Sequence, residues 1–469
     1  METSCNELQI SYHSRCMLHI VAILGVLVFL TTGCSEKNEQ IRIGVFHVDA
    51  SPPIGSPVAY APARKIVDSL SARGVVILSD KAPIVLCAVD WLGIANEGMD
   101  RWKESLAKAA HTTTDRVSVH ALHQHDGLRC DFTVESILDE YGLGGTRYDT
   151  AFLLSTIESV AKAVRHAYES AEPVTHLGFG KAKVKKVASN RRILGEDGKV
   201  KIMRWSKSTD SLAIAAPEGL IDPWLKSVSF WQDDTPLAVL TYYAVHPQSY
   251  YGEGDVTCEF VGIARNEREK ALGGLPHIHF NGAGGNVAAG KYNDGSVERR
   301  PILAKRMEEA MRQAWENIDK FPLRNEEVGW KGVSVKLPLG KHLVENDLKA
   351  ILASDTTSED QKFSAAKHLA WLQRTQEGHL IDVSSLKLGK VWMLNLPGEL
   401  FVEYQLAAQQ MRPQDEVVTA AYEEYGPGYI GIKKAYAEGG YETSERASRV
   451  GSGSEEILMQ TIQEVLKQE

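Results

Sequence analysis

The chain has 469 residues, 43% hydrophobic and 24% charged, with a formal charge of -9 at pH 7. This composition excludes fibrous and disordered classes, and acidic charge spread along the chain gives a nucleic-acid partner no electrostatic footing. The length suits one large domain or two closely joined ones. No repeat, low-complexity tract or Pro/Ser-rich linker divides residues 41–469, which read as one body.

At the amino end, Arg15 precedes an apolar run at 17–30, interrupted only by His19 and closed by Thr31, Thr32, Gly33 and Cys34. That is the form of a signal-peptide core ending at small residues. Gly33 before Cys34 resembles a bacterial lipobox, with Thr31 where Leu is more usual. Residues 1–34 are therefore expected to be a lipoprotein signal peptide, with lipid on Cys34 anchoring an exported chain to a bacterial membrane on its periplasmic or cell-surface face. A plain signal peptide or a short anchor is the other reading. Cys5 and Cys16 leave with the leader, so Cys87, Cys130 and Cys258 remain. Their spacing is not that of a zinc knuckle, and at most one disulfide is possible.

Apolar, β-branched runs predict strands at 75–79, 83–89, 116–122, 237–245, 276–280 and 390–396. Apolar residues three and four apart predict helices at 150–171, 296–318, 344–353, 360–376 and 400–411. The class is α/β. In such folds, ligands gather beyond the carboxyl ends of strands. Here those ends carry Asp90, His123, His246, Asn281 and Glu399.

His120, His123 and His125 form the densest signal. A strand continuing from Val117, Val119 and Ala121 would carry His123 and His125 on one face and His120 on the other. Two imidazoles on one face suit a metal, and the cluster at a strand end favours that reading, although a lone histidine in a polar loop is more often merely hydrogen-bonded. His246 follows an apolar run and is fixed by Pro247. Glu399 follows Pro397 and Gly398; it reads either as a ligand or as an ordinary first-turn carboxylate. Together, two histidines and a glutamate leave zinc a position open for water.

The Gly-rich stretch 281–294 nearly spells a P-loop, but Tyr292 stands where Ser or Thr must hold magnesium, which rejects a nucleotide site. Gly284 and Gly285 would instead let backbone N–H groups approach a substrate, with Asn286 donating to a developing oxyanion. Lys291, Tyr292, Asn293 and Asp294 form a polar edge suited to a hydroxyl-rich ligand. A tight surface turn is the alternative.

With those residues in view, the chain resembles the neutral/alkaline non-lysosomal ceramidase family. The likeness begins at Gly44–Gly55, continues through Asp90, His123 to His125, Asn190 to Arg192, Asp222 and His246, and ends with the Gly-rich loop, Pro397 to Glu399 and Gly440 to Glu442, in the family's order. It implies mixed sheets with flanking helices in a ceramidase-like catalytic domain; the chain ends soon after Tyr441, so no C-terminal immunoglobulin-like domain is expected. It also implies one zinc ion held by His123, His246, Glu399 and Tyr441, with Tyr429 and Tyr436 as neighbouring candidates for the tyrosine. His125 and Asn286 would then stabilise an oxyanion, Asp294 or a tyrosine near Tyr441 would manage the leaving-group proton, and Asp90 and Arg191 would join Gly284, Gly285 and Lys291 to Asn293 in binding substrate. The family's serine nucleophile aligns with Ala288, which removes a serine mechanism, leaves water on zinc as the attacking group and argues against ceramide itself. The expected activity is hydrolysis of an amide (N-acyl) bond in a lipid-like or related small molecule. Glycoside or ester hydrolysis on the same fold, or a non-catalytic surface-binding lipoprotein, are the alternatives.

Overall fold

The frame follows from strands whose two faces are both covered. Every residue of Ser71–Leu78 is buried. Val75 and Ile77 enter one core while Val76 and Leu78 enter another, as the twofold pleat requires. Ile84–Val89 repeats the pattern, with Leu86 in the first core and Val85 and Cys87 in the second. The computed structural model describes residues 40–467; the expected leader and Cys34 lie outside the described residues.

Three large sheets carry the fold. The first has the order Val117–Ala121, Ile84–Val89, Ser71–Leu78, Arg42–Asp49 and Glu172–Pro173. The second runs His277–Asn281, Thr235–Tyr243, Trp224–Gln232, His176–Lys183 and Asp319–Pro322, and the third Val328–Val335, Ile381–Leu388, Val391–Asn395 and Glu416–Ala420. Inner faces of all three meet in one core, where Val75 and Leu86 join Phe230, Leu240 and Phe280 from the second sheet and Leu386, Met393 and Val418 from the third. This is a mixed α/β architecture.

Each sheet has one parallel pair at an edge: Ile84–Val89 with Val117–Ala121, Thr235–Tyr243 with His277–Asn281, and Val391–Asn395 with Glu416–Ala420. Parallel neighbours need a crossover, and helices Glu97–Ala109, Glu259–Ala271 and Val402–Met411 supply it in turn. Three β-α-β units therefore converge, each opening loops at the carboxyl ends of its strands.

Among the flanking helices, Thr150–Glu169 begins where the Asp149 side chain accepts from the Phe152 N–H, and it buries Leu153, Ile157, Val160 and Val164 along one stripe. Glu359–Gln376 starts at a reciprocal Ser358 and Gln361 cap. Cys87, Cys130 and Cys258 are buried and free. No helix among the described residues is long and apolar enough to cross a membrane.

Candidate metal centre

Each β-α-β unit contributes one side chain to a common point. His123 follows Val117–Ala121, but not by continuing its pleat: its backbone turns into the left-handed region at φ 67°. The expected shared strand face of His123 and His125 is thus replaced by a strained turn of the kind that persists at functional sites, at a cost of roughly 1–3 kcal/mol. Two contacts hold the ring. Its Nδ1 faces the Leu92 carbonyl at 2.8 Å, and Tyr422 stacks on it at 4.6 Å between centroids. His246 follows Thr235–Tyr243, and its Nδ1 faces the Gly284 carbonyl at 2.6 Å. A carbonyl only accepts, so both Nδ1 atoms donate and both Nε2 atoms present lone pairs.

Glu399 follows Val391–Asn395 and receives the Tyr425 hydroxyl on Oε1 at 2.8 Å. Its Oε2 lies 3.0 Å from His246 Nε2 and 3.2 Å from His123 Nε2, and all three side chains are buried. Three buried acceptor atoms from three sheets thus meet at one point. That arrangement calls for a cation between them, and the separations suit two ligands on one zinc, about 3.3 Å apart for tetrahedral bonds of about 2.0–2.1 Å. The donor set fits zinc. Burial pushes the His246 imidazole down, favouring its neutral, ligating form.

The tyrosine at this point is Tyr429. Its hydroxyl lies 3.0 Å from His246 Nε2 and accepts from Arg191 Nη1 at 3.0 Å. Register explains the choice, because Glu399 pairs directly with Tyr429 across a two-residue parallel bridge. Tyr441 packs edge-on against Tyr429 at 5.6 Å and against Trp205 at 5.1 Å. It lines the cavity, whereas Tyr429 is the tyrosine whose hydroxyl lies beside His246. Tyr436 turns to Ser448 and Val450. His125 places Nε2 3.3 Å from His123 Nε2 and pairs through Nδ1 with the Tyr60 hydroxyl at 2.7 Å. Burial, then His123 and His246, hold His125 well below ordinary histidine.

Several expected substrate contacts prove to be scaffold. Asp90 is 1% exposed and forms a two-pronged pair with Arg265 at 2.6 and 2.9 Å, while also accepting from Ser71. Asn286 accepts the Val402 N–H at 2.9 Å and donates to Glu403, so it caps a helix instead of facing an oxyanion. Gly284 and Gly285 serve close packing: a Cβ on Gly285 would lie 2.3 Å from the Glu399 carbonyl oxygen. Lys291 donates to the Ile214 and Ala216 carbonyls, Tyr292 to Glu218, and Asn293 to the Ser206 and Ser249 carbonyls. Asp294 is tied to Arg299 and Ser296 at the surface, far from a leaving-group role. Arg191 pairs with Glu442 and supports Tyr429. Ala288 is buried in a short antiparallel pair with Ser189.

A cavity of about 320 Å³ opens over the centre, with His123, His125, Glu399, Tyr425, Tyr429 and Tyr441 on its walls. No sequence motif marks Tyr425 or the basic residues of this cavity; the spacing of Tyr422, Tyr425 and Tyr429 after Glu399 is the one available signal.

No family model matches the sequence, and no curated protein sequence matches it either. Solved structures do. A ceramidase bound to C2 superposes with a TM-score of 0.65 at 14% identity, over 91% of this chain and 74% of that one. The neutral ceramidase of Pseudomonas aeruginosa gives a TM-score of 0.66 at 14% identity over the same shares. The fold is ceramidase-like.

Proposed function

We propose that the chain is a zinc-dependent hydrolase that cleaves an amide (N-acyl) bond in a lipid-like or related small molecule. The observation that carries this reading is the convergence of His123 Nε2, His246 Nε2 and Glu399 Oε2, each delivered by a separate β-α-β unit, beside a cavity that His123 and Glu399 line. Bound there, zinc supplies a Lewis acid and lowers the pKa of water towards neutrality. The likeness to ceramidases favours an amide over an ester or glycoside, and it does so by analogy of fold.

The chain's own groups have definite tasks. With the Tyr60 hydroxyl donating to His125 Nδ1, His125 Nε2 carries its hydrogen towards the centre, where it stabilises charge on the carbonyl oxygen. Tyr425 and the two backbone carbonyls fix the ligating atoms. Water adds its oxygen to the acyl carbon, the C–N bond breaks, and the nitrogen leaves as an amine with a proton from water. Tyr429, beside His246, is placed to hand on that proton. Ala288, in the position aligned with the family's serine, favours the second reading, a surface lipoprotein that binds without turnover.

Export and lipid anchoring at Cys34 form part of this proposal, supported by the apolar run and Gly33. The deciding experiment is elemental analysis of the purified protein beside His123→Ala and His246→Ala, with parallel screens of amides, esters and glycosides. About one zinc per chain, lost in both variants together with amide turnover, is the expected result. Folded protein without stoichiometric metal removes the hydrolase and favours the binder, and turnover of glycosides alone removes the amidase.

A further inference from the structure

The chain is acidic overall, yet the walls of this cavity are basic. Arg129, Arg147, Lys367, Arg446 and Arg449 line it against the carboxylates of Asp360 and Glu399. Glu399 is committed to the centre, and Asp360, 87% exposed, pairs with Arg147 at 2.7 Å. Among the described residues, Arg129, Lys367, Arg446 and Arg449 form no ion pair with any carboxylate. Arg449 is only 5% exposed; its Nη1 donates to the Gly426 carbonyl at 2.8 Å, and its buried Nε has no partner. A buried guanidinium is ordinarily matched by an acid, because an unmatched charge away from water is costly.

The crowding is organised. Phe363 and Lys367, four residues apart, share a face of Glu359–Gln376. Around the Phe363 ring stand Lys367 at 4.6 Å, Arg147 at 5.1 Å and Arg129 at 5.4 Å from its centroid, so one aromatic ring gathers three basic groups. Burial, followed by Arg449, Arg129 and Arg446, pushes the Lys367 ammonium well below ordinary lysine; an anion among them would reverse that repulsion. An uncharged N-acyl alcohol has no use for such a wall.

Resting on the hydrolase reading of the same cavity, we propose that the substrate carries an anionic oxygen group, a phosphate, sulfate or carboxylate, held by Lys367, Arg446 and Arg449 while its scissile bond lies at His123, His246 and Glu399. The test is calorimetric titration of the full chain, stripped of metal by a chelator, with inorganic phosphate, sulfate and acetate in separate arms. Saturable binding of at least one anion is expected, weakening with added salt and falling tenfold or more in Arg446→Glu and Lys367→Met. The arm that binds tightest names the group. Arg446 is exposed, and melting curves check that both variants keep the fold. Absence of saturable binding to the folded protein, or binding that both substitutions leave unchanged, overturns the inference. Zinc uptake is measured on the same samples: uptake without anion binding rejects the anionic group alone, whereas anion binding without uptake supports the basic site and rejects the hydrolase.

Discussion

Glu399 and Tyr429 face each other across a parallel bridge of only two residues, Glu399 opposite Tyr429 and Leu400 opposite Ile430. Gly398 makes the bridge possible. Its φ is 60°, and a Cβ there would lie 2.7 Å from the Gly428 carbonyl oxygen. The register fixes which of three nearby tyrosines reaches the histidine pair.

Tyr429→Phe therefore weakens zinc binding by about 10–100-fold, the usual effect of removing a group that supports metal ligands. Tyr441→Phe, which keeps the ring packed on Tyr429, leaves zinc affinity within about threefold. Competition with a chromophoric chelator measures both. A loss in Tyr441→Phe with affinity unchanged in Tyr429→Phe would assign that role to Tyr441 instead.

Asp90→Asn acts on stability. The carboxylate and Arg265 are both buried and bound at 2.6 Å, and removing one partner of such a pair costs about 3–5 kcal/mol. Burial alone would raise the Asp90 carboxyl, but Arg265 wins and holds it below its ordinary value. The stabilisation is therefore present above the unfolded pKa of about 3.9 and is lost as pH falls through the lower folded value. Denaturant melts show a large loss at pH 7 that narrows in acid; a wild-type melt at pH 7 for the variant would contradict it.

Much of this site was legible because His123, His246 and Glu399 each end an apolar strand, and a polar residue at that place marks the functional rim of an α/β sheet. Asp90 ends a strand in the same way, and only Arg265, 175 residues further on, distinguishes scaffold from ligand. The basic wall is not legible in the sequence because it is assembled from segments around residues 129, 147, 367 and 446 that are far apart in the chain. Of the fold, the fully apolar inner strands and the long amphipathic helices were readable. Val328–Val335, only half-buried and interrupted by Gly329, Lys331, Gly332 and Ser334, lacked the continuous apolar run that marks a central strand.

The Gly-rich loop offers a test of function against support. Asn286→Ala removes the acceptor for the Val402 N–H, a cap worth about 1–2 kcal/mol. Asp294→Ala, at an exposed ion pair, changes turnover less than about twofold. Melting curves and steady-state rates separate the two; a hundredfold loss of kcat in Asp294→Ala with full stability would restore its proton-transfer role.

Buried carboxyls give the opposite pH signature. Burial pushes Glu423 up to about 7, against the opposing pull of Lys103 and the Ser118 hydroxyl that donates to it. Asp131, capping Phe132–Glu140, is likewise raised to about 7 by burial. Between the unfolded values near 4 and the folded value, the native state holds more protons than the unfolded chain. Stability from these groups is complete below the unfolded value and drains away as pH rises to 7, by roughly 3 kcal/mol for Glu423. Glu423→Gln keeps the shape and the acceptor for Ser118 but cannot ionise, so its melting temperature falls less than wild type between pH 5 and 8. Parallel slopes for the two proteins across that range would mean that Glu423 ionises freely in the fold.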